Sequence, residues 1–71
     1  MRSSPKVTAT LMPRERESLK WTLDGKTAWE VGEILSISER TAVMHLHNAA
    51  RKLGATSKVQ AALNARRLDL I

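Results

Sequence analysis

The pattern of apolar and polar positions along this chain is typical of short amphipathic helices, and no window alternates in the way a strand would. Capping residues and glycines divide the pattern into helices joined by short turns. The four predicted helices cover residues 13–23, 27–35, 38–53 and 57–68. We therefore predict an all-α fold, in which residues 1–10 are a linker or the edge of an expressed fragment and residues 11–71 form one domain.

Residues at the helix ends support these bounds. Pro13 suits a first helical turn, and Thr27 opens a Thr-Ala-Trp-Glu capping box. Gly25 and Gly54 suit left-handed helix stops. Met12, at the start of the first helix, lacks the side-chain oxygen that would accept a free amide, so we expect fraying there.

The third predicted helix carries two faces with different chemistry. Its core face repeats apolar residues at helical spacing: Ala42, Leu46, Ala49 and Leu53. Its opposite face mixes cationic, imidazole and bare apolar side chains: Arg40, Val43, Met44, His47 and Arg51. A helix that only had to pack would show plain charged residues on that side. The mixed face therefore indicates contact with something outside the domain.

The second and third predicted helices have the spacing of a helix-turn-helix motif. Gly32 lies in their shared seam, where a side chain would push the helices apart. The second helix of such a motif enters the DNA major groove, so the mixed face becomes a predicted base-reading surface. The apolar seam residues are Val31, Leu35, Ile37, Ala42 and Leu46.

Charge is divided unevenly along the chain. Residues 1–39 carry six lysines and arginines and six acids, whereas residues 40–71 carry six basic residues and one acid, so the net charge of +5 falls in the second part. A polyanion suits such a surface, because phosphate contacts release condensed counterions. Ordinary solubilising charge is the alternative. The agreement with the motif spacing favours DNA.

Several classes of protein are excluded or disfavoured by composition. The chain has no cysteine, which excludes disulfides and thiolate metal sites. His45 and His47 diverge on a helix and cannot share a metal by themselves, so no metal or cofactor is predicted. No nucleophile has a base beside it in the pattern, and we expect no enzyme. Without a membrane-length apolar run or a signal peptide, a cytoplasmic protein is the simplest interpretation.

Four further residues receive structural or negative interpretations. Trp21 and Trp29 are predicted to pack in the core or at its rim, since no other aromatic residue accompanies them as a stacking platform. Glu15 and Glu17 point apart on a helix at this spacing, which argues against paired-carboxylate chemistry.

The major groove gives each residue of the mixed face a role. Val43 and Met44 are placed to meet thymine methyl groups, while His47 and Arg40 can hydrogen-bond base edges or phosphates. In the competing interpretation, the chain is a protein-interaction module whose Val43 and Met44 dock an antiactivator or RNA polymerase. Polar and cationic residues are predicted to hold the DNA backbone. They are Thr27, Ser38, Thr41, Asn48, Arg51 and Lys52.

The residues assembled above resemble the LuxR/FixJ family of bacterial helix-turn-helix domains over about residues 11–71. The segments around Trp21, Lys26 and Trp29 look more like the quorum-sensing branch, which senses acyl-homoserine lactones, than like the effector domains of two-component response regulators. The motifs that carry the resemblance are Pro13-Arg14-Glu15, Gly25-Lys26-Thr27, Glu30-Val31, Leu35-Ser36-Ile37-Ser38, His45-Leu46 and Lys52-Leu53.

This resemblance implies a C-terminal effector domain of a transcription regulator, winged-helix-like but without the wing, in quorum-sensing or virulence control. It implies that the third helix reads bases through Val43, Met44 and His47. The fourth helix would form a homodimer, and two-fold symmetry then predicts an inverted-repeat site in double-stranded DNA. The predicted dimer residues are Lys58, Ala61, Ala62 and Ala65.

Some residues depart from the family pattern. Gly32 and the small Ala42 are expected to lower stability. Relatives often place Asn, Lys or Arg where this chain has Val43, so their operator preference does not transfer. The other departures are Met12 for a capping Thr or Ser and Asp69 for a common Gly.

Overall fold

The computed structural model describes residues 10–71, which form an all-helical bundle with no strand in that range. The all-α prediction is confirmed, and each predicted helix agrees with the observed bounds to within one residue. The predicted linker lies outside the described residues except for Thr10. The helices are α1 (Pro13–Leu23), α2 (Ala28–Leu35), α3 (Glu39–Lys52) and α4 (Lys58–Arg67).

Three of these helices begin at a hydroxyl cap. The side chains of Thr27, Ser38 and Ser57 accept a backbone amide three residues further on, at 3.1, 3.0 and 3.1 Å. Met12 has no oxygen to offer α1, but its own amide donates to the Glu15 carboxylate at 2.9 Å. α1 therefore keeps one of the two bonds of a capping box at the end where we expected fraying.

Each of the four described helices is followed by left-handed backbone. Gly25 and Gly54, with φ of 91° and 65°, take this conformation after α1 and α3 as predicted. Ser36 and Asp69 take it after α2 and α4, with φ of 60° and 61°, although both carry side chains. A Cβ atom is crowded in this region, so the ends of α2 and α4 are strained relative to glycine.

The core lies where α1, α3 and α4 meet, and alanine dominates it. Small side chains let these three helices approach one another closely. Ala42 of α3 is also fully buried, and Leu53 is half-buried, so the predicted core face of α3 is confirmed. The residues of the main core cluster are Leu11, Leu19, Ala28, Leu46, Ala49, Ala61, Ala62 and Ala65.

The turn between α2 and α3 closes directly over Gly32. A Cβ atom on Gly32 would lie 2.8 Å from the Ile37 carbonyl oxygen and 3.2 Å from the Glu39 amide nitrogen. The Ile37 amide also donates to the Gly32 carbonyl at 2.9 Å. The prediction that Gly32 occupies the seam is confirmed. Of the other seam residues, Val31 is buried, whereas Leu35 and Ile37 are only half-buried.

Candidate nucleic-acid interface

The outward face of α3 is exposed to solvent along the helix. Val43 and Met44, which are adjacent in the sequence, each expose 49% of their surface. The cationic and imidazole side chains around them are also exposed. The structure thus brings the predicted base-reading residues together on one surface, which we call the recognition face. It consists of Arg40, Val43, Met44, His47 and Arg51.

Hydroxyl residues predicted to hold the DNA backbone cap the two helices of the motif. Ser38 Oγ accepts the Thr41 amide at 3.0 Å and donates to the Thr41 hydroxyl at 2.9 Å. At the start of α2, the Thr27 amide donates to the Glu30 carboxylate at 2.8 Å and lowers the pKa of that group below 4.5. Thr27 and Ser38 remain exposed at helix N-termini, where phosphates are favoured.

A groove of about 310 Å³ runs beside the recognition face, between α3 and the start of α4. Val43, His47 and Arg51 line it from α3, and Ser57 and Lys58 line it from α4. Lys58, which we predicted to be a dimer residue, therefore faces the groove together with Arg51. The sequence carried no signal that Arg51 and Lys58 would share a groove, because the turn between α3 and α4 sets the distance between these residues.

Lys52 does not belong to the recognition face. Its ammonium donates to the Glu15 carboxylate at 2.8 Å and to the Thr10 carbonyl at 3.0 Å. This arrangement engages the charge that we predicted to hold the DNA backbone, and that role of Lys52 stays an untested prediction. Asn48, which is half-buried, and the exposed Arg51 keep their predicted roles as untested predictions.

Glu15 is a residue whose importance the sequence reasoning missed. Its surface is only 4% exposed. Burial raises the pKa of Glu15, but the hydrogen bonds from Lys52 and from the Met12 amide, together with the positive charge of Lys52, outweigh it, so the pKa lies below 4.5. The available signal was a Glu three residues after a cap that has no oxygen.

The small residues of α4 are on its inner side. Ala61, Ala62 and Ala65 are fully buried against the rest of the domain. This burial contradicts their assignment to a dimer contact, because they have no surface to offer a second copy. The exposed side of α4 instead carries Val59 and Leu63, which are 55% and 46% exposed.

The α2 helix also presents large apolar side chains to solvent. Trp29 is 58% exposed and Ile34 is 42% exposed. The expectation that Trp29 packs in the core or at its rim is therefore wrong, whereas Trp21 is half-buried. Glu33, one turn after Trp29, is also exposed, so this side of α2 carries an acid where the recognition face carries cations.

Residues 10–71 lack two kinds of feature. No cluster of three or more His, Asp or Glu side chains is arranged there to hold a metal ion. Across the same residues, none of the helices combines the length and apolar composition needed to cross a membrane.

Comparison with known proteins identifies relatives that are longer than this chain. It is 54% identical over 67 residues to the transcriptional activator protein SolR of Ralstonia nicotianae and 50% identical over 68 residues to the transcriptional activator protein BjaR1 of Bradyrhizobium diazoefficiens. It is 52% identical over 61 residues to the HTH-type quorum sensing-dependent transcriptional regulator RpaR of Rhodopseudomonas palustris. These matches cover 94%, 96% and 86% of this chain but only 28%, 28% and 25% of the relatives.

A family model described as bacterial regulatory proteins of the luxR family matches residues 9–65. The predictions of a helix-turn-helix DNA-binding domain from a bacterial transcription regulator, and of a protein that is not an enzyme, are confirmed by these similarities. By its helical arrangement and by this match over most of its length, the chain belongs to the luxR family of bacterial regulatory proteins.

Proposed function

We propose that this chain is the sequence-specific DNA-binding part of a quorum-sensing transcription activator, and that α3 enters the major groove with its recognition face toward the bases. The observation that carries the proposal is the exposed pair Val43 and Met44 between cationic side chains. RpaR, whose name gives it as quorum sensing-dependent, supports this branch over the two-component one, and the relatives named as transcriptional activators support activation. A DNA target implies a cytoplasmic location.

The chemistry of the recognition face supports base contact. Apolar side chains such as Val43 and Met44 suit thymine methyl groups, which only the major groove displays. His47 and Arg40 supply hydrogen-bonding groups for base edges or phosphates. Arg51 and Lys58 border the groove beside this face and suit a phosphate strand. Thr27, Ser38, Thr41 and Asn48 are the remaining proposed backbone contacts.

Selection of bound duplexes from a random DNA pool tests this function directly. We expect recovery of an inverted repeat, and fluorescence anisotropy should show that binding of this selected duplex weakens steeply with salt. The double variant Arg40→Ala, His47→Ala should bind it much more weakly. Arg14→Ala is the matched control, because Arg14 lies on α1 and pairs with Glu17 at 3.0 Å.

Two results would contradict the proposal. Unchanged DNA binding by the double variant would remove α3 from the interface. Weak binding without sequence preference, together with a protein partner that requires Met44, would favour the alternative in which the recognition face docks an antiactivator.

We also propose a homodimer through the exposed side of α4. Val59, Leu63 and Arg66 follow one another at spacings of four and three residues, so they share a side of the helix, and all three are exposed. Sedimentation of the chain on the selected inverted repeat should show two copies per duplex. Leu63→Ser should reduce this to one copy, and a dimer that persists in that variant would exclude this surface.

RNA polymerase is the further partner that we propose for an activator. The exposed Trp29 and Ile34 of α2 support this, because each offers a polymerase an apolar side chain outside the recognition face. The double variant Trp29→Ala, Ile34→Ala should keep its affinity for the selected duplex but lose a supershift by purified polymerase. Retention of the supershift would rule out both residues as polymerase contacts.

A further inference from the structure

Four residues join the start of α1 to the end of α3. Lys52 Nζ donates to Glu15 Oε1 at 2.8 Å and to the Thr10 carbonyl at 3.0 Å. The same Glu15 oxygen accepts the Met12 amide at 2.9 Å. Lys52 is the last residue of α3. Met12 directly precedes α1, and Thr10 lies two residues before Met12. This set of Thr10, Met12, Glu15 and Lys52 is called the clip.

The clip lies on a different side of α3 from the recognition face. Lys52 follows Arg51 by one residue, a rotation of about 100° around the helix. It follows His45 by seven residues, which is two turns of the helix. Lys52 and His45 therefore share the side that faces α1, while Arg51 remains on the recognition face.

The other contacts of α3 change in kind along the helix. The turn over Gly32 holds the beginning, and Leu46 and Ala49 are buried in the core. Beyond them Leu53 is only half-buried, and its carbonyl accepts a long 3.4 Å bond from Asn64. The clip supplies shorter polar contacts at this end, with a charged acceptor that is almost fully buried.

We propose that Glu15 is a positioning residue for DNA recognition, which sets the orientation of the end of α3 through Lys52 without touching DNA. This inference rests on the proposed DNA binding through the recognition face. His47 and Arg51 lie on the last turns of α3, so their placement depends on how this end is held. Base contacts require close placement of side chains, whereas attraction to phosphates tolerates movement. Loosening the clip therefore lowers sequence preference rather than general DNA affinity.

The test compares the selected duplex with a scrambled duplex of the same length at several salt concentrations. Glu15→Gln and Lys52→Met should each weaken binding to the selected duplex by about tenfold. Each should leave binding to the scrambled duplex within about twofold and the salt dependence unchanged. The double variant should bind no worse than either single variant, because both changes break one link. Lys52→Arg should bind the selected duplex about as tightly as the wild type does, since a guanidinium can donate to the same oxygens.

Arg51→Met is the matched control for a phosphate contact, because Arg51 adjoins Lys52 and is exposed. It should weaken binding to both duplexes and lower the salt slope by about 0.9. The same behaviour in Lys52→Met would overturn the proposal. Losses that add in the double variant, or variants that keep full sequence preference, would overturn it as well.

Two measurements separate this inference from other failures. Thermal unfolding establishes that each variant is folded at the binding temperature. If Glu15→Gln does not fold, Lys52→Met and Lys52→Arg carry the test, since Lys52 is partly exposed. A wild-type chain that does not distinguish the two duplexes would overturn the proposed function and the inference together. Normal wild-type preference with unaffected variants overturns the inference alone.

Discussion

Glu15 of α1 and Lys52 of α3 are 37 residues apart in the sequence, yet their charged atoms lie 2.8 Å apart. The side chain of Glu15 is 5% exposed and that of Lys52 is 32% exposed. Removing the lysine would leave a carboxylate in a site that water reaches poorly, which makes this pair different from a surface ion pair such as Arg14 with Glu17.

Acid should destabilise the wild-type chain more steeply than the Glu15→Gln variant. The pKa of Glu15 lies below 4.5 in the folded chain and is ordinary in the unfolded chain, so the unfolded chain binds the proton more readily. The stability from this group is therefore present above about pH 4.5 and is lost as the pH falls through the folded pKa. Guanidinium unfolding between about pH 7 and pH 3 measures it.

Glu17→Gln is the control for this titration. It removes a carboxylate of an exposed pair, and we expect a change in the free energy of unfolding of less than about 1 kcal/mol at neutral pH. An equally steep loss of stability in acid for the wild type and Glu15→Gln would mean that Glu15 is not held in its charged form by the fold.

Enlarging an inward alanine of α4 should destabilise the domain. Ala65 is fully buried, so Ala65→Leu forces extra methyl groups into a packed core and should lower the free energy of unfolding by about 1–3 kcal/mol. Leu63→Ser, on the exposed side of the same helix, should change stability by only about 0.5 kcal/mol. Chemical denaturation of the monomer compares them. If Ala65→Leu left the free energy of unfolding unchanged, Ala65 would not be packed in the core and could again belong to the predicted dimer contact.

Glycine at either strained helix end should stabilise the chain. Ser36 and Asp69 hold left-handed backbone, which costs an L-residue about 1–2 kcal/mol. Glycine removes this cost, but its greater conformational freedom in the unfolded chain offsets part of the gain in stability. We expect Ser36→Gly and Asp69→Gly each to raise the free energy of unfolding by about 0.5–1 kcal/mol. The guanidinium midpoint should rise with an unchanged slope. Ser36→Ala, which keeps a Cβ atom, should show no such gain.

Truncating Val43 should alter sequence preference without altering charge contacts. Val43→Ala removes the methyl groups proposed to meet thymine, and binding to the selected duplex should weaken about fivefold, or about 1 kcal/mol. The salt slope should stay the same, because no cation is lost. Leu23→Ala truncates an exposed apolar residue of α1, away from the recognition face, and should leave binding unchanged. Equal effects of the two substitutions would argue against base contact by Val43.

Much of the fold was predictable because its signals are local. A hydroxyl cap such as Thr27 or Ser38 acts within three residues, and a glycine stop such as Gly25 acts within one turn. The membership of the recognition face was predictable for the same reason, since the spacing of Val43 and His47 within one helix sets the side that they share. The turn over Gly32 was also predictable, because it joins consecutive helices.

Other features depended on how separate helices pack. The alanines of α4 indicated close approach to something, but small residues suit a core and a dimer equally well, and only the packing against α1 and α3 turned Ala61, Ala62 and Ala65 inward. Lys58 lines the same groove as Arg51 because of the turn between α3 and α4.

The partner of Lys52 also depended on how separate helices pack. Its sequence position indicated a cation in the last turn of α3, suited equally to a phosphate or to a carboxylate. The sequence by itself determined the helices, their ends and the recognition face, because those rest on contacts within a few residues. The tertiary structure alone decided that Lys52 binds Glu15, because that choice depends on which side of α3 meets α1.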